Sequence, residues 1–243
     1  MNAVQSRISL QPAYVLHQYP YRDTSLLVEI LSRDFGRIGV VCRGARSARF
    51  RQRGLLQPFT PLLFSWVSRG ELATHTSVEP AGSLLKPVGE ALFSGFYLNE
   101  LLLRLLQRQD PHPALFSDYA AALGQLATGD VPRGLRVFEK RLLDELGYGL
   151  LLDREAETGQ PLVPEKIYLY RLELGPVTAA SAGSDDLVFP GRSLLSLCHD
   201  ELSDPISLRD AKRLTQAALS LYLGGRPLKT RDVFRQLQPR QDG

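Results

Sequence analysis

The sequence predicts an α+β protein in which a small five-stranded β-barrel is followed by an α-helical domain carrying a small irregular or β insertion. Three observations predict it. Apolar residues fall in short alternating runs over residues 1–80, the apolar period changes from 2 to 3.6 after Pro87, and extended, glycine-punctuated character returns over 149–190. The chain has 243 residues and 27.0 kDa, with 44% apolar and 23% charged residues, enough to bury a core and exclude disorder as the main state. The expected division is 1–80 for the barrel and 81–243 for the helical domain, with 149–190 as the insertion.

Five runs rich in β-branched or aromatic residues, 13–17, 25–31, 37–42, 59–67 and 71–78, are the predicted strands. Turn signals separate them: Tyr19-Pro20-Tyr21-Arg22-Asp23, then Phe35-Gly36, and Ser68-Arg69-Gly70 between the last two. The long connection, about 44–57, falls between the third and fourth strands. That placement matches the Greek-key barrel of the oligonucleotide-binding (OB) type, whose strand face and loops hold single-stranded nucleic acid. A five-stranded SH3-like barrel fits the periodicity equally well.

Residues 91–107 are apolar on nearly every face, as in a helix at the centre of a bundle. A second helix, 113–126, opens with proline in its first turn. The third runs from an Asp130 cap to a Gly147 stop, with Leu135, Phe138, Leu142 and Leu146 on one stripe. Two more are expected at 207–223, capped by Ser207 with Asp210 three residues on, and at 230–237.

Several functional classes are excluded. No phosphate-binding GxxxxGK[ST] loop is present, and Gly147-Tyr148-Gly149 follows a helix and lacks the third glycine of a dinucleotide fingerprint. No GxSxG, HExxH or clustered carboxylate set is visible, so no catalytic residue, metal or cofactor is expected. Cys42 and Cys198 are far apart and unpaired, and His17, His75, His112 and His199 are scattered. Neither the polar start of the chain nor the leucine-rich run 98–106, broken by Asn99, Glu100 and Arg104, suits a signal or membrane-spanning segment, so a cytoplasmic protein is expected.

The formal charge of +3 is unevenly spread. Residues 1–80 hold ten arginines, no lysine and five carboxylates, an excess of five positive charges, whereas the remainder is slightly acidic. Residues 43–54 alone contain Arg43, Arg46, Arg49, Arg51 and Arg53 and no acid. Like charges this dense repel one another unless they meet an anion, and arginine offers phosphate oxygens a permanent charge and a planar fork. A solvated loop is the plain alternative. Phe50, with Tyr14, Tyr19, Tyr21 and Phe35, offers faces on which bases could stack, at roughly 1 to 3 kcal/mol per base; core packing is the competing use of the same rings.

On the third helix Arg133, Arg136 and Lys140 fall beside the stripe of Leu135, Phe138 and Leu142. An apolar floor with a cationic rim suits a peptide that carries acidic residues and ends in a hydrophobic residue with a free carboxylate. An amphipathic helix with a solvated face gives the same pattern.

The motifs Ala13-Tyr14-Val15-Leu16-His17, Pro20-Tyr21-Arg22-Asp23-Thr24-Ser25-Leu26-Leu27, Gly36-Arg37, Arg43-Gly44-Ala45-Arg46 and Leu56-Gln57-Pro58-Phe59-Thr60-Pro61-Leu62 resemble the N-terminal part of the RecO family of bacterial recombination mediators. The resemblance continues through Tyr97-Leu98-Asn99-Glu100, Arg136-Val137-Phe138-Glu139, Leu146-Gly147-Tyr148-Gly149 and Tyr222-Leu223-Gly224-Gly225-Arg226-Pro227-Leu228-Lys229-Thr230-Arg231, in the family's order and over nearly the whole chain. It implies an OB-fold domain and a helical domain, binding of single- and double-stranded DNA, annealing of complementary strands, and loading of RecA onto DNA coated by single-stranded-DNA-binding protein. The implied partners are RecR, often RecF, and the C-terminal tail of the coating protein, at a nucleoid-associated location. On this basis the DNA-binding set is Arg22, Arg37, Arg43, Arg46, Arg49, Arg51 and Arg53, and the tail-binding set is Arg133, Arg136, Phe138, Lys140, Leu142 and Leu143. Many members carry four zinc cysteines after the Leu-Gly-Tyr motif. This chain has Asp153, Glu155 and Thr158 there and no cysteine, so it resembles the zinc-free branch.

Two other functions fit the same residues: an RNA-binding OB protein of translation or RNA processing, and an adaptor whose arginine loop grips an acidic protein.

Overall fold

A computed structural model describes residues 6–50, 52–68, 72–83, 85–179, 186–230 and 233. The chain divides into two compact units, Met1–Gly129 with Leu228–Gly243, and Asp130–Pro227.

The first unit is built on strands β1 (Ser6–Tyr21), β2 (Ser25–Ser32), β3 (Gly36–Cys42), β4 (Leu62–Ser68) and β5 (Leu72–Pro80). They close into a barrel in the order β1-β2-β3-β5-β4, with β3 and β5 parallel and the other pairs antiparallel. This is the OB-type closure, a distinction that periodicity alone does not make. β1 is far longer than its central run 13–17, because it pairs with β4 over its first half and with β2 over its second. Register shifts at Ile8/Gln11 and Val15/His17 let one strand pair with both neighbours in turn, and Leu10 sits at φ 51° inside the first of them. Val15, Val28, Ile30, Val40, Cys42, Leu56, Phe64 and Trp66 fill the barrel.

Helices α1 (Glu90–Leu105) and α2 (Pro113–Thr128) belong to the same compact unit as the barrel, so the boundary between units falls at 129/130, whereas the sequence division falls at 80/81. Specific polar contacts explain the grouping. Asn99 of α1 donates to the Leu16 carbonyl at 2.9 Å and accepts from the Tyr119 hydroxyl of α2 at 2.6 Å, while Tyr14 meets the rings of Phe116 and Tyr119. Gly36, at φ 68°, lies so close to the chain after α1 that a Cβ there would stand 1.9 Å from the Asp110 carbonyl oxygen.

The second unit holds α3 (Val131–Glu145), a small antiparallel sheet of β6 (Ile167–Arg171), β7 (Gly175–Thr178) and β8 (Val188–Pro190) in the order β7-β6-β8, then α4 (Gly191–Cys198) and α5 (Pro205–Tyr222). The sheet occupies the region expected to be an irregular or β insertion. Tyr168, Tyr170, Phe189, Leu194, Leu197, Ala211 and Leu214 form a core between sheet and helices. α5 starts earlier than the Ser207 cap predicts: Asp204 accepts from the Ile206 and Ser207 amides at 2.9 and 3.0 Å, with Pro205 in the first turn. Of the helix expected at 230–237, residues 231, 232 and 234–237 lie outside the described residues.

Candidate nucleic-acid interface

Alternation along β1, β2 and β3 sends Val28 and Val40 into the barrel and leaves two outward rows, Tyr19-Leu27-Val41 and His17-Glu29-Gly39. The end of α1 and the chain following it cover one end of this outer face. Arg37 donates to the Leu103 carbonyl at 2.8 Å, and a Cβ on Gly39 would lie 3.3 Å from the Arg108 guanidinium. Glu29 marks the seam: its carboxylate is 3% exposed, bonded by Arg108 and 3.9 Å from Arg37. Beyond Glu29 no described residue covers the face, and Tyr19 stands 43% exposed against the His17 ring at 4.4 Å.

The open end leads into a hollow of about 540 Å³ lined by Tyr21, Arg22, Val41, Arg43 and Thr74 among others. Arg22, at φ 51° in the β1–β2 turn, lays its guanidinium 5.3 Å from the centre of the Tyr21 ring. The arginine loop docks on the same turn. Its Arg46 amide donates to the Thr24 carbonyl at 2.9 Å, its guanidinium reaches the Arg22 and Asp23 carbonyls at 3.4 and 3.2 Å, and Ala45 is wholly buried. A single 3-10 turn, Arg53–Leu55, ends the loop, and Gln52 ties it to the Val78 carbonyl at 3.1 Å.

Arg22, Arg43, Arg46, Arg49 and Arg53 are exposed, and none forms an ion pair with a described carboxylate. Unneutralised cations beside exposed aromatic rings are the requirement for gripping a phosphate chain while stacking its bases. The predicted set is therefore brought together in part. Arg22 and Arg43 line the hollow, Arg46 lies against the β1–β2 turn that borders it, Arg49 and Arg53 extend the basic surface along the loop, and Arg51 lies outside the described residues. Arg37 faces elsewhere, committed to Leu103 and Glu29 and half-buried. Among the aromatics, Tyr14 is buried, Phe35 packs edge-on against Trp66, and Phe50 packs beside His75, which leaves Tyr19 and Tyr21 on the face. His17 joins the face without any sequence signal to mark it, since a lone histidine in a strand has no distinctive spacing. Burial holds its imidazole below the ordinary value, partly offset by Glu29 and reinforced by Lys229.

The residues expected to take an acidic tail come together inside the second unit. Phe138, Leu142 and Leu143 are at most 1% exposed, so the floor of the expected groove is covered. Arg136 is buried with its Nη2 2.9 Å from the Glu139 carboxylate, which also accepts from the Thr215 hydroxyl of α5. Lys140 donates to the Leu197 and Cys198 carbonyls at 2.9 and 2.8 Å and pairs with Asp200; Arg133 donates to the Asp200 carbonyl, and Arg141 reaches its carboxylate at 2.7 Å. These cations satisfy the end of α4, where carbonyls and the helix dipole favour positive charge. Only Arg133 and Arg141 keep substantial exposure.

In the small sheet, the Glu155 carboxylate accepts from the Thr158 hydroxyl at 2.6 Å and from the Thr178 hydroxyl. These hydrogen bonds hold Glu155 below the usual carboxylate range. No group of three or more His, Cys, Asp or Glu side chains placed to hold a metal ion occurs among the described residues. Burial pushes the Cys42 thiol up to about 12, which removes its thiolate at neutral pH. No helix among the described residues is long and apolar enough to cross a membrane.

Comparison with known proteins gives one consistent result. The family model for the recombination protein O N terminus matches residues 7–84, and that for its C terminus matches residues 88–232. The DNA repair protein RecO of Alkalilimnicola ehrlichii is 52% identical over 233 residues, covering 95% of this chain and 92% of its own length. Those of Dechloromonas aromatica and Nitrosococcus oceani are 46% and 47% identical, over 97% and 96% of this chain and 98% and 95% of their own lengths.

Proposed function

The chain belongs to the RecO family of DNA repair proteins, and from that premise we propose that it is a non-enzymatic recombination mediator that holds single-stranded DNA on the open barrel face. Its role lies in DNA repair and recombination. The observation that carries the finer reading is a hollow lined by Tyr21, Arg22 and Arg43, with Arg46 on the turn that borders it and Tyr19 exposed on the adjoining strand face. Phosphates neutralised there release counterions, and rings beside them give bases an alternative to water. Annealing requires that two polyanions approach each other, which a basic surface promotes by charge neutralisation and proximity without any covalent step. Duplex DNA can use the arginine loop but not the stacking rings, since its bases are already stacked.

In this reading the protein also helps load RecA onto DNA coated by single-stranded-DNA-binding protein, together with RecR and with RecF as a further partner, and works at the nucleoid. An acidic tail of the coating protein would meet Arg133 and Arg141 first, because Arg136 and Lys140 are engaged with Glu139, Asp200 and backbone carbonyls. Entry of a terminal phenylalanine toward Phe138 and Leu142 would require the packing over α3 to open.

The test is an annealing assay with complementary oligonucleotides, naked or coated, alongside binding titrations of single-stranded DNA, duplex DNA and RNA of matched length over a salt series. Annealing and salt-steep binding of single-stranded DNA are the expected results. Tighter binding of RNA than of DNA would favour an RNA-processing role, and salt-independent binding would remove the arginines from the site.

A further inference from the structure

The second unit contains a pocket of about 240 Å³ that the nucleic-acid reading leaves unused. Its walls come from the residues after α3, the β6–β7 turn and the end of α5. Tyr148, Tyr170 and Tyr222 line it, and the rings of Tyr148 and Tyr222 stack face to face, 3.7 Å between centroids and 13° apart in plane. Tyr148 is 45% exposed, as are Leu174 and Leu221 to similar extents.

Charge makes the pocket selective. Among the described residues that line it, Glu173 is the one carboxylate and no lysine, arginine or histidine joins it, and its side chain forms no ion pair with a described residue. It is near enough to Tyr222 to help raise that phenol's pKa, after burial and ahead of Tyr148. Glu173 occupies the left-handed position, φ 67°, of a tight turn closed by the Leu174 amide on the Arg171 carbonyl at 3.1 Å. Glycine or asparagine is the unstrained choice there, so the chain holds a carboxylate at this rim against its backbone preference.

Tyrosine faces attract cations through the ring quadrupole, and an unpaired carboxylate adds a hydrogen-bonding anion. Phosphates and acidic peptides would face Glu173 with no cation to offset it. Among cations, a guanidinium suits the site better than an ammonium, because it is planar, stacks on aromatic rings, sheds water more easily and meets a carboxylate with two parallel bonds. Leu172, Leu174 and Leu221 give its aliphatic stem an apolar wall. We infer that this pocket receives an arginine side chain of a partner polypeptide, stacked at the Tyr148–Tyr222 pair and held by Glu173.

The full chain, with ¹³C-labelled tyrosine rings, is titrated with N-acetyl-arginine methylamide and with the lysine, leucine and glutamate analogues. Saturable shifts of the Tyr148 and Tyr222 ring signals are expected with the arginine probe. Glu173→Gln should weaken that binding on the order of fivefold and Glu173→Lys should abolish it, with the thermal midpoint and DNA binding unchanged, since Glu173 is exposed and remote in sequence from the barrel. An equal response to the leucine probe would make the pocket a plain apolar slot. Equal lysine binding, stronger glutamate binding or an unaltered Glu173→Gln titration would each overturn the assignment.

Discussion

Arg136 and Glu139, one helical turn apart on α3, form a 2.9 Å ion pair in which both side chains are almost wholly buried, and the Thr215 hydroxyl of α5 completes it. An arginine that the sequence places on the rim for a partner's carboxylate thus grips one of its own. A buried pair of this kind is costly to break from one side, because the survivor keeps its charge without its partner.

Arg136→Ala is therefore expected to destabilise the second unit by about 3 to 5 kcal/mol. Replacing both partners, as Arg136→Met with Glu139→Gln, should cost much less. Urea unfolding of the two variants checks this, and a mild Arg136→Ala would mean that Glu139 is rescued by water. The same experiment decides whether failure of Arg136→Ala to bind a tail peptide reflects the missing guanidinium or an unfolded second unit.

The sequence shows that α3 has an apolar stripe with cations beside it, and the structure has that stripe. What spacing does not show is what the cations face. Lys140 meets carbonyls 57 and 58 residues away, and a cation that caps α4 is indistinguishable by spacing from one that rims a groove. The same limit applies to Arg37, which reads like the loop arginines until its guanidinium is seen to meet the Leu103 carbonyl near the end of α1. The loop itself is legible because five arginines without an acid have few internal uses. Sequence pattern cuts β1 short because Tyr19-Pro20 reads as a turn, whereas the strand passes from one partner to the other around Ala13 and keeps both Pro12 and Pro20 within it.

Arg43→Ala, Arg46→Ala, Arg49→Ala and Arg53→Ala combined should flatten the salt dependence of single-strand binding by about 0.7 in log–log slope for each phosphate no longer neutralised. Arg37→Ala is the contrast. It should leave the slope almost unchanged and cost about 1.5 to 3 kcal/mol of stability, the usual range for a hydrogen bond from a charged group. Fluorescence anisotropy over a salt series with parallel thermal melts separates the two outcomes.

Glu100 predicts an acid-sensitive anchor. Its carboxylate accepts from the Lys229 and Thr230 amides at 2.9 Å each and from the Thr230 hydroxyl at 2.7 Å, and it pairs with Arg104. Burial alone would raise its pKa, but these bonds outweigh it and the net shift is downward. A depressed folded pKa means the stabilisation is complete above the ordinary glutamate value and disappears as pH falls through the lower, folded one. Hydrogen exchange at the Lys229 and Thr230 amides, corrected for intrinsic rate, should accelerate in that acid window. Glu100→Gln should show faster exchange already at neutral pH.

The small sheet is predicted to stand without metal, because its loop is tied by hydrogen bonds to a single carboxylate. Glu155 joins Thr158 in its own turn to Thr178 at the end of β7, while the Glu155 amide donates to the Gln160 carbonyl at 2.8 Å and the Ala156 amide to the Pro176 carbonyl at 2.8 Å. Chelators should therefore leave the thermal midpoint unmoved, and elemental analysis should find no stoichiometric zinc. Glu155→Ala should lower the midpoint by freeing two hydroxyls at once, and Thr178→Val should reproduce part of that decrease. Since hydrogen bonding to Thr158 and Thr178 depresses the Glu155 pKa, the clasp is intact at neutral pH and loosens only as acid protonates it below the ordinary glutamate range. A chelator-sensitive midpoint, or a Glu155→Ala protein as stable as its parent, would show that something other than this clasp holds the sheet.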